Sequence, residues 1–168
     1  MVPTKRGKLR WFLTIIAWGC ALSLAFGLTM AVAELRREVA AGDLVIVNAW
    51  MPQPLKGAKG GVVYLKIENR GTEADQLVGA ESPAARQLML HESKENGSVM
   101  KMMPLKAVNI PAHGEIELRP MGMHLMAMGL QTSPRQADSF PLILNFKRAG
   151  TVSVDVVVQA PNALEPTR

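Results

Sequence analysis

The stretch QLMLHESKENGSVMKMMPLKAVNIPAHGEIELRPMGMHLMAMGL, residues 87–130, decides how this chain is interpreted. It contains all three histidines and eight of the eleven methionines. Its apolar residues form short runs, some alternating with polar residues, and Asn, Gly and Pro separate the runs. Such a pattern is typical of short β-strands joined by turns, because side chains on a strand alternate between two faces.

The same pattern extends outward from this stretch to both sides. Nine strands are predicted, at residues 44–50, 62–69, 76–79, 87–92, 99–105, 115–118, 124–128, 142–146 and 151–159. The turns at residues 69–71, 95–97 and 148–150 contain Asn or Gly, which tolerate positive φ, and therefore predict hairpins. Eight or nine short strands with no long 3.6-residue period predict an all-β sandwich or barrel.

Residues 1–33 have the composition of a secretory signal. Four basic residues precede an apolar run over residues 11–33, which ends in the small residues Ala31-Val32-Ala33. The run is nearly long enough to span a bilayer, so a cleaved signal peptide and an uncleaved anchor both remain open. Without these residues the chain has 15 basic and 14 acidic side chains, so the net charge of +5 arises in the leader and indicates no nucleic-acid partner.

Residues 44–160 are expected to form the domain, after a lead-in over residues 34–43 that is either a brief helix or disordered, and before a flexible tail at 161–168. The one cysteine, Cys20, lies within the leader in a setting that fits lipid attachment poorly. A mature domain without cysteine excludes disulfides, cysteine nucleophiles and the blue-copper type of site, which needs a thiolate.

A repeated pair of ligand types marks a candidate metal site. His91 is followed after ten residues by Met102, then after twenty-one by His124, and Met126 follows after one more. This H-x10-M-x21-H-x-M spacing resembles the periplasmic copper chaperone family called PCuAC. The resemblance extends over residues 44–158 and includes Asn48-Ala49-Trp50 and the segment YLKIENRG at residues 64–71.

The resemblance implies a cupredoxin-like fold that binds one Cu(I) through His91, Met102, His124 and Met126. It further implies a carrier in the periplasm, not an enzyme, that supplies copper for the copper centres of cytochrome c oxidase. The recipient would be a copper-binding oxidase subunit or a Sco-type protein. Elementary chemistry agrees, because thioether and imidazole donors are neutral and suit the soft Cu(I) ion, and His124 and Met126 share one face of a strand.

The remaining candidates in the stretch are weaker. By alternation, Met89 shares a face with His91, Met100 with Met102, and Met128 with Met126, so each could line the same surface. The roles of these three residues stay open, as do those of Met103, Met121 and Met123. His113, in a Pro-Ala-His-Gly turn, is excluded from the site. Glu92 could orient the His91 imidazole by a hydrogen bond, but adjacent side chains on a strand face opposite ways, which disfavours this role.

Three other functions compete with copper delivery. The protein could be a metal-free exported interaction module whose methionines pack in a core or against a partner. It could also store or detoxify copper. A copper redox enzyme is disfavoured, because a methionine-rich ligand set holds Cu(II) poorly.

Overall fold

Eleven β-strands and no helix make up the regular structure of residues 37–96 and 99–166, the parts of the chain that this computed structural model describes. The expected leader over residues 1–33 lies outside the described residues. The strands are β1 (Glu38–Ala41), β2 (Leu44–Pro52), β3 (Gly60–Asn69), β4 (Asp75–Glu81), β5 (Ala85–Asn96), β6 (Val99–Pro104), β7 (Val108–Ile110), β8 (Glu115–Leu118), β9 (Met123–Leu130), β10 (Ser139–Phe146) and β11 (Gly150–Gln159).

The strands form one hydrogen-bonded path in the order β6-β5-β9-β3-β2-β11-β10-β4-β7, with β1 added to β2 and β8 added to β3. The path bends at β3. Its first residues, Gly60–Val63, pair with β9, whereas Leu65–Glu68 pair with β8 on the same edge. The bend separates a four-stranded sheet, β6-β5-β9-β3, from the rest of the path.

A single hydrophobic core explains why the path folds over itself. In β10 and β11, buried and more exposed residues alternate, as expected for strands with one face turned inward. Fully buried side chains from both sides of the bend, such as Leu125 in β9 and Leu142 in β10, belong to the same core cluster. Sheets that bury one face each against a shared core form a sandwich, so the predicted all-β architecture is confirmed.

The nine predicted strands all occur, with boundaries shifted by a few residues, and two further strands are present. The lead-in was expected to be helical or disordered, but Glu38–Ala41 pairs antiparallel with Leu44–Val47. Gly42, at φ 59°, occupies the first position of the two-residue turn between them, as a type II′ hairpin requires. The other addition, β7, has only three residues before Pro111 and is too short to show alternation.

Two of the three predicted hairpins are correct. β5 and β6 pair on either side of residues 97 and 98, and β10 and β11 pair across residues 147–149. The hairpin predicted at residues 69–71 is wrong, because β4 pairs with β10 and β7 instead of β3. Asn69 is 3% exposed, accepts the Gly71 N–H and donates to the Glu73 carbonyl, so the turn redirects the chain to another part of the sheet.

Candidate metal centre

The register between β5 and β9 places the two candidate histidines directly opposite each other. His91 pairs with His124, and the next pair, Leu90 with Leu125, points into the core. Because neighbouring residues on a strand face opposite ways, both histidines lie on the outward face of the four-stranded sheet. Their ring centroids are 5.9 Å apart and the ring planes are inclined by 80°.

Hydrogen bonding fixes which nitrogen of His124 is free. Its Nδ1 lies 3.1 Å from the carbonyl oxygen of Gly122, two residues earlier. A carbonyl can only accept, so in the neutral imidazole Nδ1 carries the proton and Nε2 has the lone pair. His124 is only 4% exposed, and this Nε2 is buried without a partner.

His91 has a complementary orphan atom. Its Nδ1 is also buried without a hydrogen-bond partner, and no other side-chain nitrogen or oxygen atom of residues 37–96 and 99–166 is recorded in that condition. Burial, followed by the neighbouring His124, lowers the pKa of the His91 imidazole below its ordinary value, which favours the neutral form that binds metals. An unpaired buried polar atom costs free energy, so these two nitrogens on one face are the atoms that a bound ligand would satisfy.

The thioether candidates lie on the same outward face. Met126 follows His124 by two residues in β9 and pairs directly with Met89 of β5. Met102 of β6 pairs with Ser93 of β5. Ser93 is two residues from His91 on the same strand, so Met102 is a diagonal cross-strand neighbour of His91. Diagonal neighbours have Cα atoms about 7–8 Å apart, within reach of a long side chain. Met102 is 51% exposed, so the site opens to solvent on this side.

Two imidazoles and two thioethers on one face can offer a soft, monovalent ion four neutral donors. Carboxylates and thiolates do not contribute. In the described part of the chain, no three His, Cys, Asp or Glu side chains come together in a way that could hold a metal. The same residues contain no helix long and apolar enough to cross a membrane.

Comparison with known proteins assigns the chain to a family. The sequence model of the family described as "Putative lipoprotein LpqE-like" matches residues 44–158. The chain belongs to the LpqE-like family. A relative from Leifsonia xyli subsp. xyli, named "Putative lipoprotein Lxx21020", is 31% identical over 144 residues, which cover 84% of this chain and 81% of the relative.

Solved structures show the fold of this LpqE-like chain. The copper-bound PCuAC domain from PmoF2 superposes with a TM-score of 0.64 at 24% identity, covering 74% of this chain and 98% of that domain. The solution structure of CuI-DR1885 from Deinococcus radiodurans gives a TM-score of 0.53 at 24% identity, covering 75% and 83%. These similarities confirm the cupredoxin-like fold.

The other candidates of the LpqE-like chain are placed as follows. Glu92 faces away from His91 and forms an ion pair with Lys94 at 3.0 Å, so it does not orient the imidazole. His113 lies in the turn between β7 and β8 at φ 50°. Its backbone N–H donates to the Gly71 carbonyl, beyond the end of β3 that is opposite to the part pairing with β9, so His113 is away from the site. Met123 packs against the core. The Gly122 carbonyl, which sets the His124 tautomer, carried no sequence signal, because any residue supplies a carbonyl.

Proposed function

We propose that the protein is an exported carrier of Cu(I), which holds one ion through His91, Met102, His124 and Met126. The observation that carries this proposal is the pair of buried, unpartnered imidazole nitrogens on one face of β5 and β9. Two buried imidazole nitrogens without a protein partner cost stability unless a ligand satisfies them. The soft donors beside it favour Cu(I) over Zn(II), which prefers thiolate, imidazole and carboxylate.

Two further findings support the proposal. Structures that share this fold include a PCuAC domain whose title describes it as copper-bound and a protein whose title specifies Cu(I). The lipoprotein names of the family and the relative agree with an apolar leader that directs export to the periplasm, either free or anchored to the membrane.

The protein is proposed to act as a carrier and not as an enzyme. A face that is open at Met102 lets donors of a recipient replace the four ligands one at a time, with no change in the oxidation state of the metal. Delivery to the copper centres of cytochrome c oxidase, through a copper-binding subunit or a Sco-type protein, is the destination that the PCuAC resemblance suggests.

The test is competition for Cu(I) against a chromogenic chelator, using the exported protein and a Met102→Leu/Met126→Leu variant. Leucine nearly conserves the volume of methionine, so the fold should persist while Cu(I) affinity falls at least a hundredfold. Met121→Leu is the matched control, because Met121 is 72% exposed in the turn between β8 and β9. A double variant that competes as well as the wild-type protein would exclude the site.

The destination is tested separately. Cells that lack the protein should assemble less copper into cytochrome c oxidase under copper limitation, and the wild-type gene but not the double variant should restore it. Normal oxidase copper in those cells, together with greater sensitivity to excess copper, would instead assign the protein to storage or detoxification.

A further inference from the structure

A row of methionines continues the candidate site along the outward face of β5 and β9. Met89 is the direct cross-strand partner of Met126, and Met128 follows Met126 by two residues on the same face. Directly opposite residues in an antiparallel pair have Cβ atoms about 4.5–5.5 Å apart, and residues i and i+2 of a strand are roughly 6.5 Å apart. Three flexible thioethers at these separations can converge on one ion.

Packing in the hydrophobic core does not account for these three methionines. Met123, one residue before His124, packs against the hydrophobic core, whereas Met89 and Met126 are half-buried on the opposite, outward face and do not contact that core. Met128 is 42% exposed. A sheet surface that faces solvent does not need apolar side chains. The sulfur atoms of these methionines are therefore the better explanation for their presence.

The neighbouring strand leaves room beside these side chains. Gly60 of β3 pairs with Met128, and a Cβ atom built on Gly60 would lie 3.7 Å from the Cε atom of Met126. A side chain longer than alanine would therefore stand against the methyl group of Met126. Glycine at this position leaves the space above β3 to the methyl group of Met126, which lies on the same side as Met128.

Exposure changes steadily along the row. His124 is 4% exposed, Met89 and Met126 are half-buried, and Met128 is 42% exposed. Exposure therefore falls along the row from Met128 to His124, and Met126 lies between the two on β9.

We propose that Met89, Met126 and Met128 form a second subsite for Cu(I), made of thioethers only, through which the ion reaches or leaves the histidine pair. The inference rests on the proposed function, because the two sites share Met126. The ion would keep its bond to Met126 while Met89 and Met128 are exchanged for the two imidazoles. Thioether sulfur is a soft, neutral donor, so a subsite made only of thioethers selects soft monovalent ions.

The experiment is a titration of the exported protein with Ag(I), a redox-inert probe for Cu(I), followed by NMR of the methionine methyl groups and the imidazoles. The first equivalent should shift the signals of His91, His124, Met102 and Met126. The second should shift Met89 and Met128 and leave Met121 unchanged. In a Met89→Leu/Met128→Leu variant, affinity for the second equivalent should fall at least tenfold while the first changes less than threefold. Met121→Leu is again the control.

Two results would overturn the subsite: signals of Met89 and Met128 that do not move in the wild-type protein up to two equivalents, or a second equivalent that shifts Met121 as much as Met89 and Met128. Failure of the proposed function looks different. In that case the first equivalent would leave the signals of His91 and His124 unchanged, whatever the methionines do.

Discussion

Replacing His91 by leucine should make the metal-free protein more stable while abolishing metal retention. The buried Nδ1 atom of His91 has no partner, and an unsatisfied buried polar atom costs about 1–3 kcal/mol. Leucine removes that cost but also the edge-on contact with the His124 ring, which stabilises by about 0.5–1.5 kcal/mol. The expected net gain is about 1 kcal/mol, or about 4 °C in the unfolding midpoint.

The assay is urea unfolding of the metal-free protein, with the m value as a check that the unfolded state is unchanged. His124→Leu is the matched comparison. It removes an orphan nitrogen too, but it also loses the bond from Nδ1 to the Gly122 carbonyl, so its expected gain is near zero. Adding Cu(I) should stabilise the wild-type protein and neither variant.

The reasoning is refuted if His91→Leu lowers the free energy of unfolding by more than about 1 kcal/mol at an unchanged m value. Such a loss would mean that His91 contributes favourable interactions without metal. The orphan nitrogen would then not be evidence for a ligand.

Three further variants test how the fold supports the site. Burial alone would raise the pKa of the Asp75 carboxyl, but backbone N–H groups, among them that of Ala149, outweigh this effect and hold the pKa below its ordinary value. Asp75→Asn should therefore lower the free energy of unfolding by about 2–3 kcal/mol at pH 7, and the difference from wild type should narrow as the pH falls below about 4, where the carboxylate becomes protonated. Gly129→Ala should cost about 2 kcal/mol in thermal unfolding, because Gly129 has φ 65° and the added Cβ would lie 2.8 Å from the Arg86 Cβ. Leu125→Ala should cost about 2–5 kcal/mol, since Leu125 is fully buried, yet the folded variant should still bind its first Ag(I) equivalent, because the ligands occupy the other face.

Alternation along single strands was sufficient to predict much of the site. Alternation in the sequence predicts one shared face for Met89, Met126 and Met128, and the structure places them on one face. The prediction holds because no bulge interrupts the pairing between β5 and β9 from Gln87 to His91. What alternation could not predict is which strands are neighbours. That His91 lies opposite His124, 33 positions away, follows from the sheet order.

The wrong hairpin at residues 69–71 has a local cause. Asn and Gly favour a tight turn whether the next strand returns alongside or leaves for another part of the sheet. Here the outcome depends on tertiary contacts. A Cβ atom at Gly71 would overlap the Asp43 side chain, so the glycine is required by close packing against the β1–β2 turn and not by hairpin geometry.

One ligand of the proposed site is attached to the fold differently from the other three. His91, His124 and Met126 belong to strands that also bury core residues such as Leu90 and Leu125. β6, which carries Met102, is exposed at every residue except Met103, and among the described strands it pairs only with β5. Opening β6 therefore exposes almost no apolar surface, and its amides should exchange with solvent deuterium long before those of β9. Metal release can then follow local opening of the edge strand β6, at a rate that is independent of global unfolding.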